Sequence, residues 1–488
     1  MSSIPCTVLL SVVVGLTCPA ADGQLYKSSS QPTPASCPAN TATSFTDPSF
    51  CPPQGLPSPP GLADNSADSA PEVSHWANGS GDEPAPLEKR VGFLENQLKE
   101  LEERLTESAP IGYPTLKLRG HILIDAAIFS QDEEDRYRYD EQDGVDIVVA
   151  RIIGEGNIAE NAGYKFEFDY VKQVIGDLYL EFHEVPGFHN LRIGYMKEPI
   201  SLEQLMSIKY TFTMERSFAR LVHPVLRRIG ILSYDTWGQD RGTLAVGLFA
   251  EGLSTKVQED RFGGAVTGRV TWLAWGDPED LSRNLLHLGA SYSYRRPFAH
   301  KTRFWASAGS RLSSQVLNTG DLPADEVHLL GTELAYVRRP LSLVAEWNLG
   351  WVQLLDRRQA DLFGWYATVS YFLTGESREY SPTTGVFGKV VPNHDLWWLS
   401  RQPKNEKQGL SELGWGAWEL VYRYSYGDAF DGGVLPGAQA ASHTVGLNWY
   451  PNAFTRMTAE TILAEISPNW GKPDGHLLIF QLRAQLEF

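Results

Sequence analysis

The sequence contains 488 residues, of which 21% are charged, and it carries a formal net charge of −17. An acidic chain of this kind does not suit the binding of nucleic acid. No run of about 18 apolar residues follows the N-terminal segment, which argues against a protein that crosses a membrane with helices.

The first 23 residues have the composition of a secretory signal peptide. An apolar core runs from Val8 to Leu16, and small residues follow at Cys18, Ala20 and Ala21. No Lys or Arg precedes this core, so a mis-assigned start codon is the alternative. We predict a signal peptide over residues 1–23 and an exported protein.

Residues 24–86 are dominated by Ser, Pro, Ala, Asn, Asp and Gly, a composition that cannot bury enough apolar area to fold. They are predicted to form a disordered Pro/Ser-rich linker. Within it, Cys37 and Cys51 would either pair in an oxidising periplasm or remain as two free thiols. No Cys and His spacing typical of a metal site occurs, so neither a metal nor a cofactor is expected.

A heptad pattern follows the linker. Apolar residues step by four and three positions along one seam: Leu87, Val91, Leu94, Leu98, Leu101 and Leu105. A single helix of this length is marginal in water, so several chains would have to bring copies together. We predict a short coiled-coil helix over residues 87–108; the alternative is a surface helix packed on its own domain.

From residue 115 onward, apolar and polar residues alternate with a period of two. In "TLKLRGHILIDAAIF", Leu116, Leu118 and Ile122 share one face, whereas Lys117 and Arg119 lie on the other. Similar segments recur, each about ten residues long, which is the length needed to cross a bilayer at a tilt. Their apolar faces often begin or end in Trp or Tyr, as an aromatic girdle requires, and their polar faces carry charges that a packed sandwich core could not accommodate. We therefore predict an all-β protein, a transmembrane antiparallel β-barrel over residues 115–488.

The strand number follows from the length of this region. At about 23 residues for each strand and its connection, residues 115–488 provide about 16 strands, enough to enclose an aqueous channel. The last segment, "HLLIFQLRAQLEF", alternates up to Phe488. It resembles the C-terminal strand of bacterial outer-membrane barrels, in which a terminal aromatic residue is an assembly signal.

One stretch interrupts the alternation. "KEPISLEQLMSIKYTFTMERS", residues 197–217, follows the fifth predicted strand, Leu191–Lys197, and is the third loop on its side of the barrel. In sixteen-stranded porins this loop commonly folds into the lumen. We expect Tyr210, Phe212 and Met214 to anchor it on the wall.

Several segments in order resemble the phosphate-selective porin O and P family. They are "RIGYMKEPISLEQLMSIKYTFTMERSFA", "GRVTWLAW", "LHLGASYSYRRP", "GTELAYVRRPLSLVAEW", "GWYATVSYFLTGESREYSPTTGVFGKVVP", "GWGAWELVYRYSYGD" and "HTVGLNWYPN". The resemblance implies a trimeric outer-membrane barrel that takes up phosphate-type anions through an arginine-lined lumen. Gln204 and Ile208 depart from the lysine and serine expected near these positions.

Loop position and alternation nominate the site residues. The predicted constriction and anion-binding residues are Ser207, Lys209, Arg216, Arg220, Arg227 and Arg228. The predicted lumen-facing residues are Lys117, Arg119, His121, Lys165, Arg192, Arg269 and Arg423. The alternative is that these are ordinary solvated charges, balanced by carboxylates on the same faces.

The predicted function is a porin for small hydrophilic solutes, in particular anions such as phosphate. The alternative is a general, non-selective porin whose periplasmic N-terminal arm tethers the outer membrane to periplasmic or wall partners. Expected partners are outer-membrane lipid, small anionic solutes, two further copies in a homotrimer and the barrel-assembly machinery, but no nucleic acid. Catalysis is not expected, because nothing in the spacing of His121, His183 and Asp125 distinguishes them from other lumen residues.

Overall fold

The structure is a computed structural model that describes residues 112–223, 227–250, 263–276, 281, 284–397, 399, 414–432, 434–468 and 474–488. The chain divides into two compact units, residues 1–94 and 95–488, and every described residue belongs to the second. The predicted signal peptide, linker and coiled coil lie outside the described residues and stay predictions. None of the helices in the described part has the length and apolar composition needed to cross a bilayer.

Sixteen long antiparallel strands form one closed sheet, as predicted. In chain order, β1 to β16 are Lys117–Gln131, Gly144–Ala159, Ala162–Asp169, Val174–Val185, His189–Lys197, Arg227–Trp237, Gly242–Ala250, Gly264–Gly276, Asn284–Arg296, Leu322–Arg338, Leu341–Leu354, Gln359–Phe372, Ala417–Asp431, Leu435–Asn452, Thr455–Pro468 and Gly475–Glu487. Each strand pairs with its neighbour in sequence, and β1 pairs with β16 to close the barrel. The fifth strand ends at Lys197, where the alternation predicted it would.

The two ends of the barrel differ. The terminal end carries the start of β1 and the end of β16, and most of its connections are short. The loop end carries loop 3 (residues 198–226) and loop 5 (residues 297–321), together with a short helix, α1 (Glu133–Arg138). Loop 3 contains a single helical turn, α2 (Leu202–Leu205), and a 3₁₀ turn at Phe218–Val222.

The outward face is apolar, as the alternation predicted. Along β16, Leu478, Phe480, Leu482 and Leu486 are exposed on the outside, whereas Arg483 is buried on the inside. Such a band can contact hydrocarbon without leaving a polar group unpaired, because every wall strand is bonded on both sides.

Tryptophan pairs stack across neighbouring strands near the terminal end. Ring centroids lie 4.5 Å apart for Trp237 and Trp272 and 5.4 Å apart for Trp418 and Trp449. Indole rings favour the boundary between hydrocarbon and water, so these pairs form the predicted aromatic girdle at one membrane surface.

The lumen is less aqueous than the alternation suggested. Near the loop end, Leu477 and Ile479 point inward and pack with Phe218 and Leu221 of loop 3 and Phe304 of loop 5 in one apolar core. These strand ends are apolar on both faces, because the inner face meets the inserted loops instead of water. Loops 3 and 5 therefore fill part of the cross-section of the barrel.

A third insertion enters from the terminal end. The connection between β12 and β13 contains two short paired strands, Arg378–Ser381 and Val386–Val390, which form the inserted hairpin (residues 378–390). Its Arg378 donates from Nη1 to the carbonyl of Tyr210 at 2.8 Å, and its Phe387 ring meets Phe212 at 5.7 Å. Loop 3 is thus held between elements from both ends of the barrel.

Candidate functional site: a cationic cavity in the lumen

A cavity of about 910 Å³ lies inside the barrel. Its walls come from β1 to β8, from loops 3 and 5 and from the tip of the inserted hairpin. Twelve Lys and Arg side chains line it: Arg119, Arg151, Lys165, Lys172, Arg192, Lys197, Lys209, Arg216, Arg220, Arg227, Arg269 and Arg311. Only five carboxylates do so among the described residues: Asp146, Glu167, Asp177, Glu215 and Asp235. A chain with a net charge of −17 therefore encloses a cationic cavity.

Five of the six predicted constriction residues meet at this cavity. They are Ser207, Lys209, Arg216, Arg220 and Arg227. The sixth, Arg228, is buried and forms an ion pair with Glu198, at 2.6 Å between Arg228 Nε and Glu198 Oε1. It lies outside the set of residues that line the cavity.

The predicted lumen residues divide between three places. Arg119, His121, Lys165, Arg192 and Arg269 line the main cavity. Lys117 lines a second cavity, of about 390 Å³, nearer the terminal end. Arg423 is buried behind loop 3, where its Nη1 donates to Glu215 O at 2.8 Å and to Thr213 Oγ1.

Loop 3 begins with a tightly bonded turn. Lys197 Nζ donates to three successive carbonyls of residues 204–206, at 2.9, 2.9 and 3.0 Å. On the opposite side, the Glu346 carboxylate accepts the backbone N–H groups of Leu202 and Glu203, at 3.1 and 2.6 Å. A one-turn helix cannot satisfy its own end groups, and these two side chains satisfy them.

Four arginines hold the rest of loop 3 by its carbonyl oxygens. Arg378 bonds to Tyr210 O, Arg456 to Thr211 O and Phe212 O, Arg483 to Met214 O and Arg423 to Glu215 O. The fork of donors on each guanidinium suits adjacent carbonyls. These arginines act as a scaffold and do not line the cavity.

The anchoring residues were predicted in part. Phe212 and Met214 are buried, and the Met214 N–H donates to Glu460 Oε1 at 2.7 Å. Tyr210 instead lines the cavity and bonds through its hydroxyl to Glu487, at 3.0 Å. The aromatic ring is therefore part of the cavity lining.

Most cavity cations already have an acidic partner. On one wall Lys165 Nζ lies 2.7 Å from Asp177 Oδ2, and Arg227 Nε lies 2.6 Å from the other oxygen of the same carboxylate. Arg151 similarly pairs with Glu167 and Asp169, at 2.6 and 3.0 Å. Such pairs orient the cations but neutralise much of their charge.

Four lining cations lack a carboxylate within ion-pair distance in the described part of the chain. They are Lys172, Lys197, Arg216 and Arg220, which we call the unpaired cations. Arg216 and Lys197 bond to loop carbonyls, and the Arg220 guanidinium stacks on Trp305, with its carbon 4.3 Å from the ring centroid. No carboxylate at ion-pair distance neutralises these four side chains, so the excess of cations around the cavity is concentrated here.

Sequence reasoning missed several lining residues. Arg151 follows from alternation along β2, in the same way as the residues that were nominated. Lys172 lies in a short connection, and Trp305 and Arg311 lie in loop 5, where no periodic pattern indicates direction. Only the insertion of loop 5 into the lumen brings the last two to the site.

Arg269 fixes the inserted hairpin. Its guanidinium binds both oxygens of Glu333, at 2.8 and 2.7 Å, and donates to the carbonyls of Thr384 and Gly385, at 3.0 and 2.8 Å. The hairpin tip is thus held at one edge of the cavity. Arg269 lines the cavity, but its donors are committed to this contact.

Two of the three residues considered for catalysis, Asp125 and His183, bond to other side chains. Both Asp125 oxygens accept from Arg483, at 2.7 and 2.6 Å, and His183 Nδ1 lies 2.8 Å from Asn190 Oδ1. They do not form the Asp–His pair that hydrolysis would use. The described residues contain no group of His, Cys, Asp and Glu that could hold a metal ion.

Comparison with known proteins finds relatives in sequence and similar solved structures. Porin O of Pseudomonas aeruginosa is 26% identical over 332 residues, covering 61% of this chain and 71% of that protein. An uncharacterized protein of Caulobacter vibrioides is 26% identical over 332 residues, covering 63% of this chain and 60% of its own length. Among solved structures, an anion-selective porin from Comamonas acidovorans superimposes with a TM-score of 0.46 and 12% identity, covering 77% of this chain and 99% of that one.

The profile of the family described as "Phosphate-selective porin O and P" matches residues 116–488, which is nearly the whole predicted barrel. The closed sixteen-stranded wall, its apolar outer band and its charged lumen fit a channel of the outer membrane. The chain belongs to the phosphate-selective porin O and P family and is an outer-membrane porin.

Proposed function

We propose that this porin conducts small anions passively into the cell, with phosphate-type oxyanions among its solutes. The observation that carries the proposal is the balance of twelve Lys and Arg side chains against five carboxylates around one cavity of the lumen. A cleft lined by one sign of charge, with low-dielectric walls, concentrates ions of the opposite sign. The description of the family as phosphate-selective points in the same direction.

Of the unpaired cations, Lys172, Arg216 and Arg220 would bind the anion, because the three N–H donors of Lys197 are committed to the carbonyls of residues 204–206. Arginine presents its donors in a planar fork that matches the oxygens of a phosphate, and lysine provides a point charge. Conduction also requires that each contact be weak enough to release the ion. The paired cations meet this need, because Asp177, Glu167 and Glu215 reduce the attraction that their partner cations exert.

A non-selective pore is the second candidate, and the excess of cations among the lining residues favours anion conduction over it. The tethering role belongs to residues outside the described part, and none of the contacts above bears on it. We propose no catalytic activity.

We further propose a homotrimer with the terminal end facing the periplasm. The sequence resemblance supports the trimer, and the order of the chain, in which the predicted periplasmic arm precedes β1, supports the orientation. The outward band contacts outer-membrane lipid, and the exposed Phe488 would serve as the signal for the barrel-assembly machinery. Cross-linking of the purified porin followed by mass measurement tests the trimer: a monomer mass after complete cross-linking contradicts it.

Block of a chloride current by added phosphate tests the choice of anion. We expect phosphate to reduce the single-channel chloride current, and Lys172→Gln to raise the half-blocking concentration about threefold, as expected for the loss of one partly screened charge. The matched control is Lys301→Gln, because Lys301 is exposed at the start of loop 5 and does not line the cavity. A chloride current that phosphate does not reduce would remove phosphate from the proposal.

A further inference from the structure

Loop 5 presents an aromatic ring to the cavity beside the unpaired cations. Trp305 lies on a short strand, and its neighbours Phe304 and Ala306 are buried in the apolar core, at 3% and 0% exposure. Because side chains alternate along a strand, Trp305 and Ser307 point the other way and line the cavity. The ring is half-buried, so part of it is open to a solute.

Arginines lie beside this ring, together with the Glu215 carboxylate that pairs with Arg311 at 2.6 Å. The Arg220 guanidinium stacks on the ring at 4.3 Å, and Arg216 and Arg311 are close enough to Arg220 to act on it electrostatically. An anionic head group bound by these arginines would lie beside the indole. We call Trp305, Arg216, Arg220 and Arg311 the aromatic station.

The same cavity has an apolar side. Pro199, Leu205 and Ile208 of loop 3 all line it. A bare inorganic anion gains nothing from such groups, whereas an organic group on the anion would remove apolar surface from water.

A second aromatic and cationic contact lies nearer the terminal end. Arg192 of β5 is held between two tyrosines, with its guanidinium carbon 4.2 Å from the Tyr179 ring centroid and 5.0 Å from that of Tyr234. All three residues line the cavity. A solute leaving the aromatic station would therefore meet a similar pair of chemical groups further along its path.

We propose that the channel prefers small organic anions that carry an aromatic ring, such as aryl phosphates, over inorganic phosphate. The inference rests on the proposed anion channel and defines the class of solute that binds at the aromatic station. Rings stack on indole and on guanidinium groups, while the oxyanion takes the remaining arginine donors. The Trp305 ring is the residue that distinguishes an aromatic solute from an inorganic one.

The experiment compares three blockers of the chloride current through the full-length porin: phenyl phosphate, glycerol phosphate and inorganic phosphate. We expect phenyl phosphate to half-block at about one tenth of the concentration needed for either of the others, which corresponds to about 1.4 kcal/mol. In Trp305→Leu the ratio of the phenyl phosphate and phosphate values should fall to within about twofold, and in Trp305→Phe most of the preference should remain. The ratio is independent of how much channel inserts.

The control is Trp347→Leu, because Trp347 lies on the outward face of β11 and contacts Trp365 instead of the cavity. It should keep the wild-type ratio. Equal half-blocking concentrations for phenyl phosphate and phosphate in the wild type overturn the inference and leave the anion channel standing, as does a preference that survives Trp305→Leu. A cation-selective current that none of the three blockers reduces overturns both this inference and the proposed anion channel.

Discussion

Glu215 of loop 3 and Arg311 of loop 5 form an ion pair inside the lumen, with 2.6 Å between Glu215 Oε1 and Arg311 Nε. Arg483 of β16 reaches the same oxygen at 2.9 Å. Burial alone would raise the pKa of Glu215, but the two guanidinium groups outweigh it and lower that pKa to about 2. The carboxylate therefore stays charged, joins both loops to the wall, and is compensated by its partners.

The first prediction concerns this pair. Arg311→Gln should lower the permeability ratio of anion to cation about two- to fivefold, because it removes one cation and leaves Glu215 less compensated. Reversal potentials in a salt gradient measure the ratio. The matched control is Arg303→Gln in the same loop, since Arg303 is exposed and bonds to Asn318 and Gln315. The account of the cavity is wrong if both variants lower the ratio equally.

The second prediction concerns the scaffold behind loop 3. Arg456→Met removes the donors to Thr211 O and Phe212 O and should destabilise the local fold by about 2–4 kcal/mol, because buried carbonyls lose their partners. We expect larger fluctuations of single-channel conductance and a lower temperature of unfolding in detergent. Arg296→Met serves as the control, because the Arg296 side chain is 68% exposed. If the conductance fluctuations and the unfolding temperature of Arg456→Met equal those of the wild type, Arg456 does not hold loop 3.

The third prediction concerns the tip of the inserted hairpin. Gly385 has φ +63°, and a Cβ atom there would lie 2.9 Å from Thr271 Oγ1 and 3.2 Å from Arg269 Nη1. Gly385→Ala should displace the tip and increase single-channel conductance. Gly375→Ala separates crowding from backbone strain, because Gly375 has φ +87° but nothing within 4 Å of its Cβ position. If Gly375→Ala changes the conductance as much as Gly385→Ala does, crowding does not displace the hairpin tip.

The fourth prediction is a dependence on pH. Burial lowers the pKa of Lys172 and of Lys209 below the usual lysine value of 10.5; the charge of Arg311 adds to this at Lys172, whereas Glu487 opposes it at Lys209. Lysine is charged only below its pKa, so the cation excess shrinks as pH rises, and it does so at a lower pH than for free lysine. We therefore expect the permeability ratio of anion to cation to fall as the pH rises toward 10.5. The double variant Lys172→Arg and Lys209→Arg should keep its selectivity over this range, because arginine stays charged. An equal fall of this ratio in the wild type and in the double variant would show that the two lysines do not cause the pH dependence.

Much of the wall could be predicted from the sequence, because lipid and lumen impose opposite demands on neighbouring residues. Leu482 and Arg483 show this: one is exposed on the outer band, and the other is buried inside against Asp125. The same rule located most lumen cations of β1 to β8. It could not show which of them are already paired, since a pair such as Arg227 and Asp177 joins residues 50 positions apart.

The interior could not be predicted in this way. Leu477 and Ile479 point inward against the alternation rule because loops 3 and 5 cover them. Arg423 faces the lumen as predicted, yet loop 3 lies between it and the cavity. The contributions of Trp305 and Arg311 depend on how loop 5 folds inward, and its sequence has no periodicity that would reveal this.

The central claim is that the cationic cavity selects anions. The most direct measurement is the zero-current potential of the purified porin in a planar bilayer that separates two concentrations of potassium chloride. The account predicts a potential of the sign set by chloride, larger at low ionic strength, where the field of the unpaired cations is less screened. A potential of the opposite sign, set by potassium, would contradict it.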